Sequence, residues 1–325
     1  MKHRVLSTIL TGCLALASAY ALAQAPAQTN MIVPYPAGGG SDFIARTLAP
    51  SLSKSLGQNI IVENVGGAGG AIGSQRILQH PNDGHTLLLG SPNEVMLAPA
   101  VNKAITYKAE DFRLIGPATE TSLVLVGRPS LKAADIKELL QQAQGPNATP
   151  ITYGSVGIGS LYHVVGEVLT TDAKANLTHV PYRGMAPLVT DLMGGVIDIA
   201  FLPLAGNVLG LIKDGKIKTF GIAQARRNHL VPDIPTLGEI DPQLKNFIYP
   251  TWAGILVRSN TPDAEVVRLQ AALAKALTDP KVKQSIEATG SEVAKPMNLE
   301  QANAFYKEQT ELFRKIVNDH KIQVN

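Results

Sequence analysis

Three glycine-rich turns could do chemistry in this chain: Pro36-Ala37-Gly38-Gly39-Gly40-Ser41, Val65-Gly66-Gly67-Ala68-Gly69-Gly70 and Gly154-Ser155-Val156-Gly157-Ile158-Gly159-Ser160. Each follows a short apolar run and precedes a helical pattern. The start of a helix carries backbone N–H groups with no intrahelical partner, at the positive end of the helix dipole. Glycine lets another molecule come close to that backbone. The chemistry within reach is therefore capture of a small anion by N–H groups. Turns from two domains facing one another would enclose such an anion without a charged side chain.

Each turn alone reads more readily as an ordinary tight turn. Asp42 is either a helix-start acid satisfied by backbone N–H groups or a ligand-facing selector. Arg183 is either a bidentate carboxylate clamp or an ion-pair partner of Asp191. His163, early in its helix, fits capping or packing better than base catalysis. Nucleotide chemistry has little support, because G-x-G-x-x-G fails in every frame and no Gly-Lys-Ser/Thr occurs. Gly154-Ser155-Val156-Gly157 is one residue short of the G-x-S-x-G nucleophile elbow. His80, His85, His163, His179, His229 and His320 form no H-E-x-x-H pattern, and a single cysteine excludes both an intrachain disulfide and a cysteine-based zinc site. No cofactor, metal or catalytic residue is expected.

The elements that must position these turns alternate strands with helices, an α/β pattern that predicts largely parallel sheet. Strands are expected at Asn30–Val33, Ile60–Asn64, Thr86–Leu89, Leu123–Val126, Pro150–Tyr153, His179–Val180, Ile197–Phe201, Lys218–Ala223 and Trp252–Val257. Helices are expected from Asp42 to about Leu56, with Ser41 as N-cap, and from the second turn to about Gln79. Others are expected over Ala133–Gln144, Leu161 to about Thr170, Ala186–Met193 and Asn207–Lys213. Three more follow the last strand, over Asp263–Thr278, Pro280–Thr289 and Leu299–Val317. The first group of strands looks incomplete without Trp252–Val257. The chain is therefore expected to cross out and back, giving a discontinuous first domain, 24–123 plus 250–325, around a continuous second one, 124–249.

The first 23 residues read as an address. Lys2, His3 and Arg4 precede the apolar run Val5–Ala17, and Ala21-Leu22-Ala23 supplies a small-x-small cleavage site. Leu10-Thr11-Gly12-Cys13 resembles a lipobox that would lipidate Cys13, but the apolar segment continues past the cysteine, so simple secretion after Ala23 to the periplasm is expected. The whole chain has 325 residues, with 29 basic against 26 acidic. Removing residues 1–23 takes away Lys2 and Arg4 and no acid, so the formal charge falls from +3 to +1. Neither value suits a nucleic-acid partner.

Val33-Pro34-Tyr35-Pro36-Ala37-Gly38-Gly39-Gly40-Ser41-Asp42-Phe43-Ile44-Ala45-Arg46 resembles the opening motif of the Bug family, the extracytoplasmic solute receptors of tripartite tricarboxylate transporters. The likeness continues through Val62–Gly70, Pro81–Leu87, Tyr153–Ser160, His179–Gly184, Val231–Thr236 and the strand at Trp252. Val65 stands where the family has a basic residue, and Ser122-Leu123 replaces a proline-bearing stretch. The resemblance implies a type II periplasmic-binding-protein fold, two α/β domains joined by two crossover segments, closing on a small organic acid. In the family, backbone and hydroxyl groups of opposing loops hold a ligand carboxylate, often with ordered waters. Carried over, Tyr35, Gly39, Gly40, Ser41 and Asp42 line the first loop with Ala68 and Gly69 beside it. Ser155, Gly157, Gly159 and Ser160 line the second-domain loop. Ser91, Asn93 and Tyr182 complete the candidate ligand contacts. Asp42 is implied to select the ligand through an amino group or a bridging water.

The expected function is a monomeric receptor that binds a mono-, di- or tricarboxylate, aromatic acids included, and delivers it to membrane transporter subunits. Two alternatives are a sensing module that signals to a kinase and an exported serine hydrolase using Ser155 or Ser160. The latter lacks a motif-grade nucleophile, base or metal set.

Overall fold

Met31, Ile32 and Val33 are fully buried at the end of strand β1 (Gln28–Val33), as a strand covered on both faces requires. The computed structural model describes residues 28–145, 148–249 and 251–322. The expected signal peptide, with Cys13 and Ala23, lies outside the described residues.

The strands form two sheets. The first has the order β11-β4-β10-β3-β1-β2 and contains β1, β2 (Asn59–Asn64), β3 (Thr86–Gly90), β4 (Phe112–Thr121), β10 (Thr251–Arg258) and β11 (Glu292–Val293). The second has the order β7-β6-β8-β5-β9, with β5 (Leu123–Gly127), β6 (Ile151–Ser155), β7 (Leu177–Pro181), β8 (Ile199–Pro203) and β9 (Lys218–Ile222). The return of the chain inferred from the incomplete first group appears as β10, inserted between β3 and β4.

Both sheets are mixed, which corrects the expectation of largely parallel pairing. β1 runs parallel to β2 and β3, and β6 to β7 and β8. β10 is antiparallel to β3 and β4, and β5 to β8 and β9. The short β11 is antiparallel to β4 as well, while β5 and β10 are each the first strand formed after the chain passes between sheets. Each of these two enters its sheet without the helical crossover that makes neighbours parallel. Strand β4 itself was not expected. Its Gly116-Pro117 pair breaks the strand pattern, and the structure accommodates it where the β4–β10 register shifts, near Ala253 and Gly254.

The first turn leads into helix α1 (Gly40–Leu56), which buries Ile44, Leu48 and Leu52 against the first sheet. Its N-cap is Gly39, not Ser41: Gly39 is extended and its carbonyl accepts the first helical bond from Phe43 N at 3.0 Å. Gly40 and Ser41 therefore lie inside the first turn of the helix. The second turn leads into α2 (Ala71–Ile77). A wide helical turn, Asn93–Leu97, runs into α3 (Ala98–Val101) after β3. In the second half, the helix expected over 133–144 is the shorter α4 (Ile136–Gln142), because Asp135 caps it by accepting from Glu138 N at 2.9 Å. The third turn opens α5 (Leu161–Asp172), followed by α6 (Met185–Gly194), α7 (Val208–Lys213) and α8 (Leu237–Ile240). Helices α9 (Asp263–Leu277), α10 (Pro280–Glu287) and α11 (Leu299–Asp319) return to the first sheet, with α9 packed on α1 and α11 on β4.

Only Ser122 separates β4 from β5, so the first passage between sheets is a single residue. The second, after Ala223, runs beside it. Ser122 Oγ donates to Gln224 Oε1 at 2.9 Å and accepts from Asn228 Nδ2 at 3.0 Å. Asn228, 2% exposed, also donates to the Gly290 carbonyl at 3.1 Å and accepts from Leu230 N at 2.8 Å. One buried amide thus ties both passages to the loop before β11. Asn228→Ala is expected to lower the unfolding free energy by about 1–3 kcal/mol, the cost of leaving buried groups unpaired. A denaturant titration checks this, and an unchanged midpoint would remove Asn228 from any structural role at the junction.

Candidate functional site

The first two turns are packed together. A side chain at Gly66 would meet the Pro36 ring at 3.1 Å, and one at Gly73 would meet the backbone of Pro34 at 2.6 Å. Asn64 Nδ2 donates to the Tyr35 carbonyl at 3.1 Å. Asp42, 5% exposed, accepts from Gly38 N at 2.9 Å and from Arg46 Nε at 2.9 Å, and Arg46 reaches Asn64 Oδ1 at 3.2 Å. Burial acts to raise the Asp42 pKa, but the hydrogen bonds from Arg46, Gly38 and Asn64 and the Arg46 charge together hold it below the usual carboxylate value. Asp42 is thus an ionised clasp closing the first turn. Gly39, Gly40 and Ala68 are exposed, with Ser41 and Gly69 half-buried beside them. Ala68 holds a positive φ of 48°, unusual for a residue with a Cβ.

The Ser91–Glu94 turn lies beneath. Glu94 is fully buried, and its carboxyl accepts from the Tyr35 hydroxyl at 2.7 Å, the Ser91 hydroxyl at 2.7 Å and the Ser91 backbone N–H. A side chain at Gly70 would sit 2.8 Å from Glu94 Cβ, and Gly70 has φ of +98°, so only glycine allows this approach. Burial pushes the Glu94 carboxyl up to about 7, against the opposing pull of its Ser91 and Tyr35 bonds. Asn93, also buried, reaches the other half of the molecule: its Oδ1 accepts from Leu161 N, the first residue of α5, at 2.6 Å. Through Asn93 the turn below the first two glycine loops meets the helix opened by the third.

The third turn is braced from within. The Ser155 hydroxyl, fully buried, bonds with the Gly157 carbonyl at 3.0 Å and N–H at 3.2 Å, and lies 2.7 Å from His179 Nε2. Ser160 donates to the Gly157 carbonyl at 2.8 Å and caps α5 by accepting from His163 N at 3.4 Å. His163 Nδ1 accepts from Gly159 N at 3.1 Å, the packing role expected of it. The two imidazoles are 4.2 Å apart, with Tyr153 against the other side of His179 at 4.9 Å. Tyr182 N donates to the Ser155 carbonyl at 2.8 Å, while the Tyr182 hydroxyl donates to Asp191 at 2.9 Å. That carboxylate therefore takes a tyrosine, and Arg183 is exposed without an Asp191 ion pair.

The structure thus gathers Tyr35, Gly39, Gly40, Ser41, Asp42, Ala68, Gly69, Ser91 and Asn93 on the first sheet's side. Ser155, Gly157, Gly159, Ser160 and Tyr182 stand on the second, and the Asn93–Leu161 bond joins the sets. A cavity of about 360 Å3 lined by Asn207, Lys213, Asp214 and Ala288 lies elsewhere and includes no turn residue.

Residues 44–322 match the model of the tripartite tricarboxylate transporter family receptors. The chain belongs to this receptor family. It is 33% identical over 98% of its length, and 92% of the relative's, to the protein in the TAR-I ttuE-ttuC' intergenic region of Agrobacterium vitis. Protein BugT of Bordetella pertussis is 32% identical over 81% of this chain and 80% of its own. Among solved structures, the periplasmic binding protein BugD superposes with a TM-score of 0.81 at 31% identity, covering 91% of this chain and 98% of BugD. MatC from Rhodopseudomonas palustris with bound malate gives 0.81 at 27% identity, over 89% and 98%.

In this receptor four residues escaped the sequence reading. Arg46 and Asn64 were not expected to hold Asp42 and Tyr35 in place. Glu94 carried a usable signal, since Ser91-Pro92-Asn93-Glu94 is the S-x-x-E pattern of a capping box. His179 was visible only as part of a motif.

The His179 environment has a measurable consequence. Burial, followed by the nearby His163, holds its pKa down at about 4, and burial lowers His163 as well. An unfolded histidine titrates near roughly 6.5. Between those values the unfolded chain binds a proton that the native chain refuses. Stability is thus fully present above about 6.5 and is lost as the pH falls toward 4. Melting temperatures between pH 7 and 4.5 should fall more steeply for the wild type than for His179→Gln. Parallel curves would contradict the account.

Proposed function

We propose that the receptor is exported, captures a small organic carboxylate between its two halves and delivers it to membrane subunits of a tripartite transporter. The observation that carries this reading is the pair of helix starts, α1 and α5, each opened by an exposed or half-exposed glycine turn and linked through Asn93. The backbone N–H groups of Gly40 and Ser41 and, in the third turn, of Ile158 suit a carboxylate, those of Gly157, Gly159 and Leu161 being taken by Ser155, His163 and Asn93, and glycine leaves the approach open. Family membership and the malate bound by the relative MatC support the ligand class.

On this reading Tyr35, Gly39, Gly40, Ser41, Ala68 and Gly69 meet the ligand from one side, with Asp42 fixing their turn. Ser155, Gly157, Gly159, Ser160 and Tyr182 form or brace the opposite wall, and Ser91 and Asn93 the floor. Domains 24–123 plus 250–325 and 124–249 close about the double passage at Ser122 as a hinge. The chain acts as a monomer after cleavage behind Ala23, and no bond is broken. Ser155 is fully buried and committed to Gly157, which suits a brace better than a nucleophile.

A thermal-shift screen of the mature chain with aliphatic, aromatic and amino-bearing acids tests the ligand class. A ligand bound only by the native state adds RT ln(1+[L]/Kd), about 2.7 kcal/mol at a hundredfold excess over Kd. At least one mono-, di- or tricarboxylate should raise the melting temperature. Stabilisation by esters or sugars alone would overturn the carboxylate assignment.

A further inference from the structure

Glu94 is a fully buried acid at the floor of the proposed site, and carboxylate capture gives it no evident task. An acid beside an anion site works against binding while it is ionised, so its position calls for a physical account. Its carboxyl has two different faces. Oε1 takes the Ser91 N–H, while Oε2 takes the Ser91 hydroxyl and the Tyr35 hydroxyl, each at 2.7 Å. The Tyr35 hydroxyl also lies 3.4 Å from the Gly69 carbonyl, in the turn that lines the site. A single phenolic proton therefore stands between the buried acid and the ligand side.

The titratable groups that face Glu94 are tyrosines from every element packed on it. Tyr35 comes from the first turn and Tyr162 from the start of α5. Tyr107, whose hydroxyl donates to the Glu94 carbonyl at 2.6 Å, comes from the segment before β4, and Tyr306 from α11. All four phenols are raised above their ordinary range by burial first, with Glu94 adding to the rise in each and Glu110 preceding it at Tyr306. They stay protonated at neutral pH, and no cation forms an ion pair with Glu94 among the described residues.

We propose that Glu94 is a proton-linked switch that sets the donor direction of Tyr35 and so couples carboxylate binding to uptake of a proton. When Glu94 is ionised, the Tyr35 O–H donates to it and turns only a lone pair toward the ligand. When Glu94 takes a proton from solvent, its O–H donates to the Tyr35 oxygen, and the Tyr35 O–H is released to donate to a ligand carboxylate. The position of Glu94 near 7 makes both forms accessible under neutral conditions. The argument rests on the reading of Tyr35 as a ligand contact.

By linkage, a ligand that prefers the protonated form binds more tightly as the pH falls, by up to roughly tenfold per pH unit above the pKa. The test compares the thermal stabilisation produced by acetate and malate at pH 6.5 and 8.5, where both probes keep nearly constant charge. His179, held down at about 4, stays neutral across this window, and burial shifts His163 toward its neutral form. The mature wild type should be stabilised more at pH 6.5 than at 8.5, and Glu94→Gln equally at both, because a glutamine amide donates to Tyr35 at any pH. Tyr35→Phe, which keeps the acid but removes the transmitted proton, should also lose the pH dependence. Without ligand, the raised Glu94 pKa stabilises the native state below about 4.5, and that contribution is lost as the pH rises through about 7. The wild type should therefore lose melting temperature toward pH 8.5 and Glu94→Gln should not. Equal stabilisation at both pH values in the wild type overturns the switch and leaves the carboxylate reading intact, as does an undiminished pH dependence in either variant. Stabilisation by none of the acids at either pH overturns both.

Discussion

A carboxylate leaving water must find hydrogen-bond donors already fixed in place, because the loss of hydration is large and flexible donors recover little of it. Helix starts meet that requirement without a buried cation. The glycine turns before α1 and α5 present the starts, and much of the surrounding structure keeps them rigid. Asp42 clasps Gly38 on one side. On the other, Ser155, Ser160 and His163 occupy the internal bonds of the third turn. The small formal charge, +3 for the whole chain and +1 with residues 1–23 removed as proposed, agrees with this arrangement, since local dipoles rather than a basic surface provide the attraction.

The same constraint explains why the two halves meet where they do. Asn93 Oδ1 occupies Leu161 N, one of the donors freed at the start of α5. A group below the first two turns thus registers the position of the third. The passage between sheets is short at Ser122 and tied at Asn228, which concentrates backbone rotation in few residues. On the proposed reading, binding and closure draw on one set of contacts, and the proposed Glu94 switch adds a proton to that linkage.

Much of this was legible in the chain. The three turns stand between runs whose periodicity gives strand and helix, and the structure places them at the ends of β1, β2 and β6. What sequence could not give was pairing. β4 was hidden by Gly116-Pro117, which fits only because β10 shifts register opposite it. The antiparallel strands followed from the route of the chain between sheets, which local periodicity does not encode. The N-cap moved from Ser41 to Gly39, which is extended and caps without a side chain, so the usual serine signal points two residues too late. Glu94 had the spacing of a capping box, but its burial depends on Tyr35 and Gly70, distant in sequence. Its raised pKa is a tertiary property with no local signature.

The central claim is that backbone N–H groups of two opposing turns hold one carboxylate together. Amide-resolved NMR titration of the mature chain with a stabilising acid tests it most directly. The account expects the amides of Gly39–Ser41 and of Ile158 and Tyr162, which have no partner within the two turns, to shift along one binding curve with a single dissociation constant. Shifts confined to one turn, or centred on the cavity at Asn207–Asp214, would contradict it.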